Sequence, residues 1–332
     1  MSTTIRDVAA VAGVSPATVS RVLNGKVVVA PELSERVRAA VDSLGYRPNG
    51  LARGLRRRAT MVVGVVISDV TNPFFTSMVR GFEDVAQAAG YSVVLANSDE
   101  DLEKERCYLE VAVAEQMAGV ALCPTSSTRT DVSVLDSYGI PVVTVDRELR
   151  GGRVDSVSID NNAAARQATE HLITQGCRHI AFISGPTTAS TGERRLAGYR
   201  AALRSAKLTA AVRRADFRVE GGYRAAQELL DAAPETDGML VSNNLMAVGA
   251  LQALQERGVA LPDDLAFASF DGVIWAQILH PTLTVMEQPT YQIGRRAAEL
   301  LLARIAEPDT PVQRVVLPAE LRVGQSSAGV SA

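Results

Sequence analysis

The stretch from Gly13 to Gly25 reads GVSPATVSRVLNG and carries one charge, Arg21. Ser15 is placed to cap a helix, Pro16 suits the first helical position, and Gly25 suits the left-handed turn that ends one. The outward positions of this helix form neither a salt-bridged solvent face nor a broad apolar stripe. Ser15, Pro16, Ala17, Thr18, Ser20 and Asn24 are small or polar, and Arg21 stands among them. Small residues permit close approach to a duplex, hydroxyls bond phosphates or base edges, and an arginine forks onto guanine O6 and N7. Pro16 and Ala17 have no side-chain donors, so they offer only apolar contact, for example to a thymine methyl.

A second set of chemistry-bearing side chains follows apolar runs further along the chain. "SDVTNPFF" supplies Asn72, Phe74 and Phe75, and "PVVTV" is followed by Asp146 and Arg147. "TGERRLAGYR" supplies Arg195, "ADF" supplies Phe217, and "VSNN" supplies Asn243 and Asn244. Asp271 follows "LAFASF", and Gln288 follows "VME". Carboxylates and amides exchange hydrogen bonds with vicinal hydroxyls, arginine binds oxygens bidentately, and aromatic rings cover apolar C–H faces. This is the chemistry of a sugar site. Each position alone also has a structural reading, with Phe75 as core and Asp146–Arg147 as an ion pair.

Three short helices would hold the first set. Thr4 and Asp7 have capping-box spacing, Ile5, Val8 and Ala9 share a face, and Gly13 breaks the run. In the second helix Val14, Val19, Val22 and Leu23 face the first. A third, from about Pro31 to Leu44, buries Leu33, Val37, Val41 and Leu44 and stops at Gly45. Two helices joined by a glycine-containing turn and braced by a third make a helix-turn-helix. A plain helical bundle accounts for the apolar positions but not for the stripped outer face. The charge agrees: residues 1–58 hold ten Arg or Lys against four Asp or Glu, a balance of +6, which leaves −9 for the rest of a chain of net −3. A basic head ending in "RGLRRR" on an acidic body points to a polyanion partner, although a solvated basic surface reads the same on charge alone.

The second set requires a larger scaffold. "MVVGVVIS" is a continuous apolar run, as in a strand buried on both faces. Helices near Phe74–Ala89 and Leu102–Met117, after Asn161, after Glu193, and over Leu245–Arg257 and Tyr291–Ile305 alternate with further apolar runs. Such alternation implies parallel sheets. About ten strands is many for one open sheet, so two lobes are expected.

"TIRDVAAVAGVSPATVSRVLNG" followed by "LGYRPNGLARGL" resembles the head of the lactose-repressor (LacI/GalR) family of bacterial transcriptional regulators, and the resemblance extends over nearly the whole chain. It implies an N-terminal all-α helix-turn-helix head over 1–48, a hinge helix over 49–60, and an effector-binding and dimerisation core over 61–332. The core would be α/β, two Rossmann-like lobes as in periplasmic binding proteins, lobe one about 61–160 and 289–321, lobe two about 161–288 and 322–332. The chain would cross between lobes near Asp160, Gln288 and Leu321. Asn49, Leu51, Ala52 and Leu55 match the family's hinge, in which a leucine wedges into a base step of the minor groove, and Leu55 holds that place. Gly50 and Gly54 depart from the commoner pattern. Each costs about 1 kcal/mol in a helix relative to alanine, so the hinge is expected to fold only on DNA. The strand-end residues would converge on the cleft between lobes, beyond the carboxyl ends of the strands. The partners implied are a palindromic operator, a second copy of the chain, and a monosaccharide or sugar acid, with a purine or nucleoside as the alternative effector.

Other classes fit less well. There is no window of about 18 uncharged apolar residues for a membrane span and no secretory signal pattern, so a cytoplasmic protein is expected. A soluble sugar receptor without a DNA role leaves the helix-turn-helix unexplained. Cys107, Cys123 and Cys177 are isolated, which argues against a zinc site. His171, His179 and His280 lie apart with no serine or cysteine elbow, and "GPTTASTG" matches no phosphate-loop or dinucleotide fingerprint. We therefore expect neither an enzyme nor a cofactor.

Overall fold

The structure, a computed structural model, describes residues 3–24, 29–46, 60–272, 278 and 280–328. The chain divides into two compact units, Met1–Thr60 and Met61–Ala332.

The first unit contains helices α1 (Ile5–Ala12), α2 (Pro16–Asn24) and α3 (Pro31–Leu44). Thr4 and Asp7 form the expected reciprocal capping box at the start of α1. Gly13 ends α1 in the left-handed conformation, at φ 63°. A side chain there would be strained, and its Cβ would also lie 2.5 Å from the Arg36 guanidinium. Val8, Ala9, Ala12, Val19, Val37 and Ala40 form the buried centre, flanked by Ile5, Val14, Val22, Leu23, Val41 and Leu44. Of the four α3 residues expected to be buried only Val37 is; Leu33, Val41 and Leu44 are half-buried, the last two packed against the centre.

The second unit contains two six-stranded sheets. The strands are β1 (Val62–Ile67), β2 (Ser92–Asn97), β3 (Gly119–Leu122), β4 (Val142–Val145), β5 (Asp155–Ile159), β6 (Ile180–Ser184), β7 (Ala211–Arg214), β8 (Gly238–Val241), β9 (Ala266–Phe270), β10 (Thr284–Glu287), β11 (Arg314–Leu317) and β12 (Glu320–Arg322). The helices are α4 (Pro73–Ala88), α5 (Leu102–Ala114), α6 (Ser133–Ser137), α7 (Asn161–Thr174), α8 (Ser190–Ala206), α9 (Val219–Ala232), α10 (Asn244–Glu256) and α11 (Thr290–Ala306). Sheet one runs β11-β5-β4-β3-β1-β2, with every pair parallel. Sheet two runs β12-β10-β9-β8-β6-β7, and among the described residues only its β12–β10 pair is antiparallel.

Helices cover both faces of each sheet, so the central strands are buried on both sides and read as unbroken apolar runs. Val66, Val120 and Leu122 pack on Leu109 of α5 in lobe one. Phe267, Met239 and Val241 pack with Leu229 of α9 and Ala250 of α10 in lobe two. The chain leaves sheet one after Ile159, returns to it after Glu287, and crosses again between Leu317 and Glu320. The third crossing thus precedes Leu321, which already lies in β12, so lobe two resumes at Glu320 and not after Leu321. Helix α8 starts at Ser190, one turn earlier than expected. Among the described residues no helix is long and apolar enough to cross a membrane.

Candidate effector cleft and nucleic-acid interface

In the first unit the Ser15 hydroxyl accepts the Thr18 N–H at 3.1 Å and shares a 2.9 Å bond with the Thr18 hydroxyl. It therefore caps α2 as expected. Pro16, Ala17 and Arg21 are exposed, Thr18 and Ser20 half-buried, and Val19 is buried against the other helices. The open face thus combines two apolar residues at its N-terminal end with a guanidinium one turn on. Asn24 ends the helix, but its side chain lies outside the described residues, as do Gly25, Asn49, Leu51, Ala52 and Leu55. Arg36 was not expected to matter. From α3 its Nη2 donates to the carbonyls of Ala12 (2.6 Å) and Gly13 (3.5 Å), satisfying the C-terminus of α1 and fixing the turn into α2.

In the second unit a cleft of about 460 Å³, counting its open mouth, lies between the lobes. Nine of the eleven side chains singled out in the sequence line it, all but Asn244 and Gln288: Asn72, Phe74, Phe75, Asp146, Arg147, Arg195, Phe217, Asn243 and Asp271. Gln288 reaches it indirectly, its Nε2 donating to Asp271 Oδ1 at 2.5 Å. The cleft also holds Asp69, Glu100, Thr191, Asp216 and Arg218. Four of these stood inside or beside the quoted stretches, and Glu100 lies three residues beyond β2, a strand end the sequence reading passed over.

Backbone geometry aims several of these side chains. Glu100, Asp146, Phe217 and Asp271 all have positive φ, between 59° and 66°. Non-glycine residues held there cost about 1–3 kcal/mol each, and such strain clusters at binding sites. Gly185 makes room for one of them: a Cβ at this position would lie 2.1 Å from the Phe217 ring. Asn243 caps α10 by accepting the Met246 N–H and donates to the Phe217 carbonyl at 3.0 Å. Both ends of its amide are thus engaged in positioning Phe217 and α10. Asn72 caps α4 and also accepts from Asn244 Nδ2 at 2.8 Å, a bond between lobes.

The two buried arginines are held differently. Arg147 makes a bidentate pair with Glu100, at 2.7 and 2.5 Å, and donates to the Pro124 carbonyl. Burial opposes its charge and is the largest single influence, but the groups around it, Glu100 first among them, together outweigh burial and raise its pKa. Its Cζ lies 5.3 Å from the Phe217 ring centroid, and its Nε has no hydrogen-bond partner. Arg195 donates to Asn161 Oδ1 at 2.7 Å and the Ser242 carbonyl at 2.5 Å, and lies 4.1 Å over the Phe270 ring. Burial lowers its pKa, with Asp271 and Asp146 opposing.

Burial raises the pKa of Asp146, with Arg147 and Arg195 opposing. It pushes Asp271 up to about 6, opposed by Arg195 and Gln288. Phe74 and Phe75 meet edge to face at 5.0 Å and form an aromatic wall. Acidic acceptors, committed guanidinium groups and aromatic walls suit a neutral polyol. Among the described residues no group of three or more His, Cys, Asp or Glu is placed to hold a metal.

Two family descriptions match the chain. Residues 4–49 match "Bacterial regulatory proteins, lacI family", and residues 60–322 match "Periplasmic binding proteins and sugar binding domain of LacI family". A ribose operon repressor of Halalkalibacterium halodurans is 38% identical over 327 residues, 98% of each chain. Among solved structures, a transcriptional regulator CelR–cellobiose complex is 34% identical with a TM-score of 0.75, covering 98% of this chain and 99% of that one. A lac repressor dimer bound to operator and the anti-inducer ONPF is 25% identical with a TM-score of 0.87, at the same coverage.

Proposed function

The chain belongs to the LacI family of bacterial regulatory proteins, and from this premise we propose that it is a homodimeric repressor whose grip on a palindromic operator is set by a small sugar in the interlobe cleft. One observation carries the reading. The two family matches fall on two separate compact units, one presenting the exposed face of α2 and the other enclosing a polar, aromatic-walled cleft. A sugar receptor alone has no use for the first unit. Residues 1–48 would read the operator through Ser15 to Arg21 and Asn24, and 49–60 would form the hinge with Asn49, Leu51, Ala52 and Leu55. Residues 61–332 would dimerise and bind effector. The protein would act in the cytoplasm, on the nucleoid.

The effector we propose is a neutral monosaccharide. Sugar acids fit poorly, because each cleft arginine already has partners. Arg147 has Glu100, Arg195 has Asn161 and the Ser242 carbonyl beside two carboxylates, and Arg218 has Asp99 at 2.8 Å. Asp146 and Asp271 would accept sugar hydroxyls, Phe74, Phe75 and Phe217 would cover its apolar faces, and Asn72, Asn243 and Gln288 would hold those groups in place.

The test is fluorescence anisotropy on a palindromic fragment from the gene's own upstream region, titrated with a panel of neutral sugars, sugar acids and nucleosides. The expected result is binding in the 10⁻⁸–10⁻¹¹ M range typical of specific complexes, lost on scrambling the palindrome and shifted by a neutral sugar. No preference for the palindrome at matched salt would overturn the DNA role. A response confined to nucleosides or sugar acids would overturn the effector class.

A further inference from the structure

We propose that the core carries a second ligand site, beside the effector cleft, for a small phosphate-bearing metabolite. The two sites share helix α8 but no lining residue. Thr191 and Arg195, four apart and so on one face of the helix, turn into the effector cleft. Ser190 and Arg194, again four apart, turn into a neighbouring pocket of about 630 Å³. That volume is within the range for small-ligand clefts.

The charge of this pocket is opposite in kind to that of the cleft. Arg150, Arg194, Arg214 and Arg314 line it against only Glu148 and Glu193. Arg194 pairs with Glu148 and Arg214 with Glu193, each at 2.7 Å. This uses both carboxylates and leaves Arg150 and Arg314 with no ion-pair partner among the described residues. Two uncompensated guanidinium groups in one concave site match a dianion, because Arg binds phosphate oxygens bidentately.

The rest of the lining agrees. Ser127, Thr128, Thr187 and Ser190 line the same space. The pocket lies at the N-terminus of α8, a 17-residue helix whose N-cap Ala189 supplies no side-chain acceptor, so the positive end of the helix dipole adds to the arginines. Thr187 and Ser190 belong to the "GPTTASTG" stretch, which matches no phosphate-loop fingerprint because its contribution comes from fold and not motif. Both lobes supply cations, Arg150 and Arg314 from lobe one and Arg194 and Arg214 from lobe two, so an occupant would bridge them.

The test is hydrogen–deuterium exchange of the full-length protein titrated with inorganic pyrophosphate at constant ionic strength. We expect saturable protection of peptides spanning 148–153 and 187–194. The Arg150→Gln/Arg314→Gln double variant, altered only at exposed positions, should raise the midpoint at least tenfold. Arg200→Gln, on the exposed side of α8 and outside the pocket, should leave it within twofold. Protection confined to the basic head, a response that follows ionic strength alone, or an unmoved midpoint in the double variant would each overturn the proposal.

Discussion

Replacing Asp271 by asparagine separates the stability of the cleft from its function. This carboxyl is buried, and its pKa stands at about 6 against an ordinary 3.8, with burial the main cause. A carboxyl whose pKa is raised on folding binds its proton more tightly in the folded chain. Stability therefore falls as pH rises through the interval from 3.8 to about 6. By pH 7 the ionised group costs the fold about 3 kcal/mol, since each tenfold change in the protonation equilibrium is worth about 1.4 kcal/mol. Asparagine keeps the shape and removes the charge. Asp271→Asn should thus stabilise the unliganded chain by up to about 3 kcal/mol at pH 7, or about 5 °C in Tm for a chain of this size. The gain should shrink below pH 6 and vanish near pH 4. The effector, in contrast, loses a charged acceptor whose hydrogen bonds contribute about 1.5–3 kcal/mol each, so its midpoint should rise tenfold or more. The assays are melting curves from pH 4 to 8 and operator binding titrated with effector, wild type beside variant. A stability difference that ignores pH, or a variant less stable at pH 7, would refute the assignment of a buried charge that Arg195 and Gln288 offset only in part. An unmoved effector midpoint would remove Asp271 from the site.

Arg21→Ala should weaken operator binding by about 1–3 kcal/mol and relax one base position per half-site; equal loss on scrambled DNA would assign Arg21 to phosphates instead. Arg36→Ala removes a charge-assisted bond to the Ala12 carbonyl and should destabilise the head by about 1.5–3 kcal/mol, seen by NMR as melting of 5–46 while the core transition stays fixed. Gly185→Ala forces the Phe217 ring aside and should weaken effector binding without abolishing operator binding, as anisotropy would show. Glu100→Gln leaves the buried Arg147 without its carboxylate and should cost about 3 kcal/mol by denaturant unfolding, whereas a loss under 1 kcal/mol would show that Asp146 takes over.

The legible parts of the fold were those where burial is two-sided. Strands β1, β4, β6, β8 and β9 are unbroken apolar runs because helices cover both faces. The edge strands β7 (AVRR), β11 (RVVL) and β12 (ELR) are three or four residues long and part exposed, too short for a period to show. For this reason the described residues hold twelve strands where about ten were expected. The cleft was legible where a polar residue ends an apolar run. Glu100 was not, since "NSDEDLEKE" reads as a solvated acidic turn and its partner Arg147 is 47 residues away. Asn243 shows the converse limit. A capping asparagine and a ligand-binding one occupy the same strand–helix junction, and the sequence does not display the bond that Asn243 makes to the Phe217 carbonyl.

How a sugar could act on the lobes follows from where each buried charge finds its partners. Arg147 is neutralised by Glu100 and the Pro124 carbonyl, all in lobe one. Arg195 is satisfied by Asn161 and the Ser242 carbonyl, all in lobe two. Opening the cleft therefore strands neither cation, and the several kcal/mol that an unpaired buried charge would cost are not incurred. The bonds that do cross are modest. Four are neutral hydrogen bonds: Asn244 to Asn72, the Glu148 N–H to the Ser190 hydroxyl, and the Ser127 N–H and hydroxyl to the Thr188 carbonyl. The Arg218–Asp99 and Arg194–Glu148 pairs are partly solvent-exposed. At about 1 kcal/mol for each neutral bond and 0–1 kcal/mol for each ion pair, the latch is worth about 4–6 kcal/mol in all. An effector shifts such an equilibrium only by its differential affinity, and a thousandfold preference for one arrangement supplies about 4.1 kcal/mol. A ligand that touches Phe74 and Asp146 on one side and Phe217 and Asp271 on the other loses half of its contacts when the lobes part. Its preference for the latched arrangement is then of the same size as the latch itself, which is the condition for a small neutral molecule to control the domain that holds it.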